Sequence, residues 1–343
     1  MVSHRGPEFK EVLGETTKLL QPVFGTSNQV LLFASSGTGV MEASLANVLG
    51  EGDRALVVSS GEFGERFLTI AENLGLVADA IEAPWGEVVD PDAVARRLAD
   101  SDYRAVVAVH NESSTGAVTD LEALGAVVGA TPAVLIVDSV SGIGGIEMRQ
   151  DDWGVDVVVS ASQKALMCPP GIGLASVSEK AWKVIEDNDS RGRFYWDFLR
   201  ARDAAAQGQT AFTTPVSTVL GLREALRMMH EEGLSDVLAR HLRMAADLRA
   251  GGETLGLPLF TKAPTASNTV TGFATPDGLD GTEVVRHMYE RFGTVIAGAR
   301  NRLKGKVLRI GTMGACEETD IRQDLLELGQ TFEDIGWPVE SGA

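Results

Sequence analysis

Apolar positions along this chain follow two rhythms, one helical and one of short unbroken runs. Phe9, Val12, Leu13, Leu19 and Leu20 recur at helical spacing over residues 8–24, closed by Pro22 and Gly25. Residues 29–33 read as a short strand. A helix then starts at Ser35-Ser36-Gly37-Thr38-Gly39 and carries Met41, Leu45 and Leu49 to a stop at Gly50 and Gly52. Residues 55–60 predict a strand, 61–64 a glycine-bounded turn and 65–74 a helix. Asp90-Pro91 opens a further helix that ends before Tyr103. The strand at 105–110 leads into a polar turn, and 121–128 is helical. A strand at 133–138 ends in Asp138, and one at 155–160 comes just before Lys164.

Strand alternating with helix predicts an α/β protein with a mostly parallel central sheet, whose ligands sit beyond the carboxyl ends of the strands. Ser36-Gly37-Thr38-Gly39, the turn around Ser113, Asp138 and Lys164 all fall at such ends. After residue 215 the pattern changes. A long helical stretch from Val216 to about Ala250 is interrupted by His230-Glu231-Glu232-Gly233, a plausible hinge. Strands near 268–274 and 306–311 and helices near 281–292 and 317–335 then suggest a smaller α+β domain. The expected division is a large domain over 1–232 and a small one over 233–343.

At 343 residues the chain exceeds one ordinary core, which agrees with two domains. Its formal net charge of −18 disfavours nucleic acid and anionic membrane as partners, because phosphate binding needs clustered Lys and Arg. Cys168 and Cys316 are the only cysteines, too few for a disulfide framework or a zinc ligand set, so a reducing cytoplasm is the expected setting. The first residues lack the apolar core of a signal peptide, and no apolar run approaches the about 18 residues of a membrane helix.

Lys164 stands at a strand end among apolar residues, the setting in which an amine loses its proton easily and does imine chemistry. A solvated surface lysine is the plainer alternative. Asp138 precedes it by about one βα unit with its following strand, which could make the two ends neighbours. Gly37, Thr38 and Gly39 enter a helix, where backbone N–H groups and the helix dipole favour phosphate. Amine, carboxylate and phosphate cradle together suit pyridoxal 5′-phosphate (PLP). His110 is expected to be structural, and Cys168, in an apolar turn, inert.

In order along the chain, SSGTGVMEASLANVLGEGD, HNESSTG, LIVDSVSGIGG, SQKALMCPPG and VLRIGTMG resemble the class V aminotransferases, within the fold type I PLP enzymes. Within that class they look most like the alanine–glyoxylate / serine–pyruvate group. The resemblance runs from about Glu8 to about Leu328. It implies that Lys164 forms the internal aldimine and serves as general base and acid. It implies that Asp138 pairs with the pyridine nitrogen, that Gly37, Thr38, Gly39 and Gln163 hold the phosphate, and that Ser113 lies near the ring. Phe63 would lie on one ring face, where many relatives have tryptophan, and Val140 on the other. Arg309 would clamp the substrate carboxylate with its planar fork. Thr213 would reach the phosphate in the partner subunit, implying a homodimer with shared sites; Thr210 stands where some relatives carry tyrosine. The chain begins almost at the family's HR-x-PEF motif, here His4-Arg5-Gly6-Pro7-Glu8-Phe9, without the Gly-Pro-rich segment that usually precedes it.

The resemblance implies a ping-pong transfer of an amino group from an alanine- or serine-type donor to a glyoxylate- or pyruvate-type acceptor. Other class V chemistry, lyase or desulfurase, is the first alternative. Desulfuration is disfavoured because Cys316 follows Arg309 and Gln163 replaces the usual histidine. A non-catalytic PLP-binding protein is the second, and retention of Lys164, Asp138 and Arg309 together argues against it.

Overall fold

A computed structural model describes residues 2–189 and 192–338. Helix α1 (Pro7–Phe24) begins on a proline, whose missing N–H is no loss in a first turn. It ends at Gly25, in the left-handed region at φ 61°, whose N–H turns back onto the last carbonyls. Pro22 lies inside the last turn instead of ending the helix, so the stop comes from the glycine.

The chain then alternates through β1 (Val30–Ser35), α2 (Gly37–Val48), β2 (Arg54–Ser59), α3 (Glu62–Asn73), β3 (Val77–Glu82), α4 (Pro91–Asp100) and β4 (Ala105–Val109). A small hairpin, β5 (Asn111–Glu112) and β6 (Ala117–Val118), precedes α5 (Leu121–Gly129), β7 (Val134–Asp138), β8 (Val157–Ala161) and β9 (Gly171–Val177). Helices α6 (Glu179–Glu186), α7 (Phe198–Ala206), α8 (Val216–Glu232) and α9 (Leu234–Thr254) follow. The last elements are β10 (Val270–Ala274), α10 (Gly281–Phe292), β11 (Ala297–Gly298), β12 (Val307–Gly311) and α11 (Glu318–Asp334).

Seven strands form one sheet in the order β1-β9-β8-β7-β4-β2-β3. The five from β8 to β3 are parallel, and β9 runs antiparallel to both β8 and β1. Two reversals cancel, so β1 points the same way as β8, and the carboxyl ends of β1, β4, β7 and β8 share one edge. The sheet is apolar on both faces. Leu32, Val58, Val106 and Val158 pack into one core layer with residues of α1, α5 and α8. Leu31, Val57, Val107 and Val159 pack into the other with residues of α2, α3 and α6. Burial on both sides is why these strands read as continuous apolar runs.

Two strands of the seven-stranded sheet escape the sequence pattern. β3, Val-Ala-Asp-Ala-Ile-Glu, is a mixed-polarity edge strand, and β9 contains Gly171 and Gly173. The helical stretch after 215 is two helices broken at Gly233, whose φ of 95° disfavours a side chain. The C-terminal core gathers Met244, Leu248, Phe273, Ile321 and Phe332 around the sheet β10-β12-β11. Among the described residues no helix is long and apolar enough to cross a membrane.

Candidate active site

Lys164 follows β8 in a tight turn. Met167 N–H donates to the Lys164 carbonyl at 2.9 Å, Cys168 N–H to the Ser162 carbonyl at 3.0 Å, and Ser162 Oγ to the Pro169 carbonyl at 2.8 Å. Met167 takes a left-handed φ of 51°, uncommon for a residue with a side chain. The lysine is half-buried. Burial lowers its pKa, the positive charge of Arg309 lowers it further, and Asp138 opposes both. An amine so placed gives up its proton more readily than a surface lysine does.

Asp138 ends β7, opposite Val109 of β4 and Val159 of β8, and is buried. Its Oδ1 accepts the Val140 N–H at 2.8 Å, and among the described residues no donor reaches Oδ2. Burial pushes the carboxyl up to about 7; the Val140 N–H pulls down, the Glu112 charge adds to the rise, and Arg66 and Lys164 oppose it. A cationic N–H brought to Oδ2 would restore the anion.

The start of α2 lies beside these two groups. A Cβ on Gly37 would fall 2.8 Å from Val140 Cγ2 and 3.6 Å from Ala161 Cβ, so glycine lets the helix end approach the ends of β7 and β8. Ser36 occupies the N-cap position without a side-chain cap, and the first helical bond is Val40 N–H to the Ser36 carbonyl. The N–H groups of Gly37, Thr38 and Gly39 therefore have no protein acceptor among the described residues and are free for an anion. Thr38 Oγ1 accepts from Arg66 Nη1 at 3.0 Å. Gln163, next to the lysine, has its Oε1 buried without a partner.

Phe63 lies in the first turn of α3, because that helix starts at Glu62 and not near 65 as the sequence predicts. The Arg66 guanidinium sits 4.4 Å from its ring centre. Val140 is half-buried, and Ser113 is buried in the turn between β5 and β6. Arg309, on β12, donates Nη1 to the Ser113 carbonyl at 2.8 Å and Nη2 to the Gly298 carbonyl at 2.9 Å. Its Nε is buried without a partner, so the fork is fixed in place with N–H groups to spare. The resemblance implies that Arg309 clamps a substrate carboxylate; on that reading, replacing it with lysine is expected to raise KM for the substrate about 100-fold with a smaller change in kcat, because a point charge cannot reproduce two-point binding. Steady-state kinetics over donor concentration checks this.

Thr213 is exposed, and no hydrogen bond joins it to the groups above. His110 is structural in this setting. Its Nδ1 lies 2.8 Å from Ser139 Oγ, and burial pushes its pKa down to about 4. Cys168 is buried and its thiol is pushed up to about 11. Ser36, Arg66 and Glu112 are the site residues that the motifs do not single out. Ser36 lies within the SSGTG motif and Glu112 within HNESSTG, but the sequence assigns neither of them a role.

A mostly parallel sheet whose carboxyl edge gathers an amine, a buried carboxylate and free helix-end N–H groups has the build of a fold type I PLP enzyme. The sequence profile described as aminotransferase class V matches residues 1–302. A soluble hydrogenase small subunit from Synechococcus is 37% identical over 340 residues, covering 98% of this chain and 88% of the relative. The serine–glyoxylate aminotransferase of Methylorubrum extorquens is 34% identical over 351 residues, with 99% and 87% covered. The crystal structure of ureidoglycine–glyoxylate aminotransferase from Bacillus subtilis superposes with a TM-score of 0.94 at 31% identity, covering 99% of this chain and 89% of that one. The chain belongs to the class V aminotransferases and is a PLP-dependent aminotransferase. Two features of its own residues fit PLP: the unused N–H groups at 37–39 and the open Oδ2 of Asp138.

Proposed function

We propose that this protein moves the amino group of a small amino acid of the alanine or serine type to a 2-oxo acid of the glyoxylate or pyruvate type. In this reading it works in the cytoplasm as a homodimer. Residues 1–232 hold the cofactor and 233–343 bring Arg309. PLP, when bound, supplies an electron sink for the pair left behind as the substrate α-proton departs. Lys164 Nζ takes that proton and returns it on the other side of the transfer, a task that suits an amine with a depressed pKa. Asp138 holds a proton on the ring nitrogen, which keeps the ring electron-poor. The helix-end N–H groups of Gly37, Thr38 and Gly39 and the Gln163 amide bind the phosphate. Phe63 and Val140 would cover the two faces of the ring, with Ser113 beside it. Arg309 orients the substrate by its carboxylate. Thr213, exposed on each chain, reaches the phosphate of the other subunit.

The observation that carries this reading is the shared carboxyl edge of the sheet, where Asp138 ends β7 opposite Val159 of β8, Lys164 follows β8, and the start of α2 brings unbonded N–H groups against the same two strand ends. The test is a panel of amino donors mixed with the PLP-loaded protein, following loss of the aldehyde-form absorbance as the amine form appears. Conversion by alanine or serine is expected; no conversion by any amino acid would sink the proposal.

A further inference from the structure

Glu112 is fully buried at the sheet edge, and nothing in the chemistry above uses it. Its Oε2 accepts the N–H groups of Phe63 at 2.9 Å and Gly64 at 3.3 Å, in the first turn of α3. Its Oε1 accepts Ser114 N–H at 3.1 Å and Ser114 Oγ–H at 2.6 Å. Ser114 Oγ in turn accepts Glu62 N–H at 3.1 Å, which closes a loop of bonds between the helix start and the turn. Glycine at 61 makes the approach possible. A Cβ there would lie 2.5 Å from Ser114 Oγ and overlap the Glu112 side chain. Every group that touches the carboxylate is a donor, the arrangement that holds a buried acid as its anion. Burial is the larger influence and leaves its pKa above the ordinary carboxylate value, with the bonds from Ser114, Phe63 and Gly64 offsetting part of that rise.

An acid whose only task is to cap a helix needs one oxygen. Glu112 commits the other to the turn that carries Ser113, and the Ser113 carbonyl seats Arg309 Nη1. One carboxylate therefore ties the backbone of Phe63 to the support of Arg309. Both Asp138 and Arg309 feel its charge. We propose that Glu112 is a positioning residue of the active site, holding Phe63 against the cofactor ring and Arg309 against the substrate carboxylate through one buried anion. The inference rests on the PLP reading of Phe63 and Arg309 given above.

The test is Glu112→Gln, which keeps shape but removes the charge and turns an NH2 toward backbone donors. The PLP dissociation constant, titrated on the cofactor-stripped protein, should rise about tenfold, and the visible circular dichroism of bound PLP should weaken. Donor KM should rise more than kcat falls. Ser114→Ala removes one donor and leaves the charge; it should move the same readouts in the same direction, by about threefold. A folded Glu112→Gln protein with wild-type PLP affinity and unchanged visible dichroism overturns the inference, even if its melting temperature drops, because the residue would then only cap α3. If Glu112→Gln does not fold, Ser114→Ala with wild-type affinity and dichroism overturns it. Wild-type protein that takes up no PLP would bring down the underlying site reading as well, a different result from a variant that matches a PLP-binding wild type.

Discussion

Replacing Lys164 with alanine is expected to cut amino-group transfer by at least about 10⁴-fold, because it removes both the nucleophilic amine and the proton carrier. Among the described residues, neither His110 nor Glu112 is placed to substitute. His110 is buried against Ser139 Oγ, and Glu112 has both oxygens occupied by donors. The variant should still fold, since Lys164 is half-buried and its turn is held by backbone bonds and Ser162, not by its own side chain. Single-turnover absorbance with saturating donor measures the loss. A variant retaining more than about one hundredth of wild-type transfer would remove Lys164 from the role given to it.

Asp138→Asn is expected to lower kcat by about 10²- to 10³-fold, because a neutral amide cannot keep the ring nitrogen protonated. The same variant tests the electrostatics without any turnover. In the cofactor-stripped protein Asp138 is pushed up to about 7, above its ordinary value. Between about pH 4 and 7 the folded chain thus keeps a proton that the unfolded chain has lost, so this group's contribution to stability falls as pH rises. His110, pushed down to about 4, acts in the opposite sense: the unfolded chain takes up a proton that the folded one refuses, so its contribution rises with pH over much of that window. In wild type the two slopes oppose each other. In cofactor-stripped Asp138→Asn the Asp138 slope is gone while those of the other groups remain, so its melting temperature should climb relative to wild type from about pH 4 to 6.5. Parallel pH profiles for the two proteins would show that Asp138 does not carry a raised pKa.

The central strands are legible in the sequence because burial on both faces forbids polar interruptions, as in Ala105 to Val109 and in Val157 to Val159. The exceptions have physical reasons. At the sheet margin β3 tolerates Asp79 and Glu82, and β9 needs the small Gly173, whose Cβ would meet Ser35. The motifs placed the lysine, the carboxylate and the helix start on one edge, because strand ends are fixed once strand directions are. Glu112 was not legible in that way. In sequence it is one more acid beside a Ser-Ser-Thr turn, and only three-dimensional packing shows that donors from α3, distant along the chain, surround it. The helix start at Glu62 has the same cause, since the carboxylate that caps it comes from β5.

The return strand β9 has a practical consequence for anyone who redesigns this protein. Residues 162–170 bridge two strands already locked side by side, with Ala161 opposite Gly173. Because β9 is held in register by β8 on one side and β1 on the other, a residue added or deleted there would be absorbed by the loop and displace Lys164 relative to Asp138, leaving Ile172 and Leu174 in their layer. The reactive amine therefore sits on a span of frozen length: its neighbours can be exchanged for others, but not counted differently.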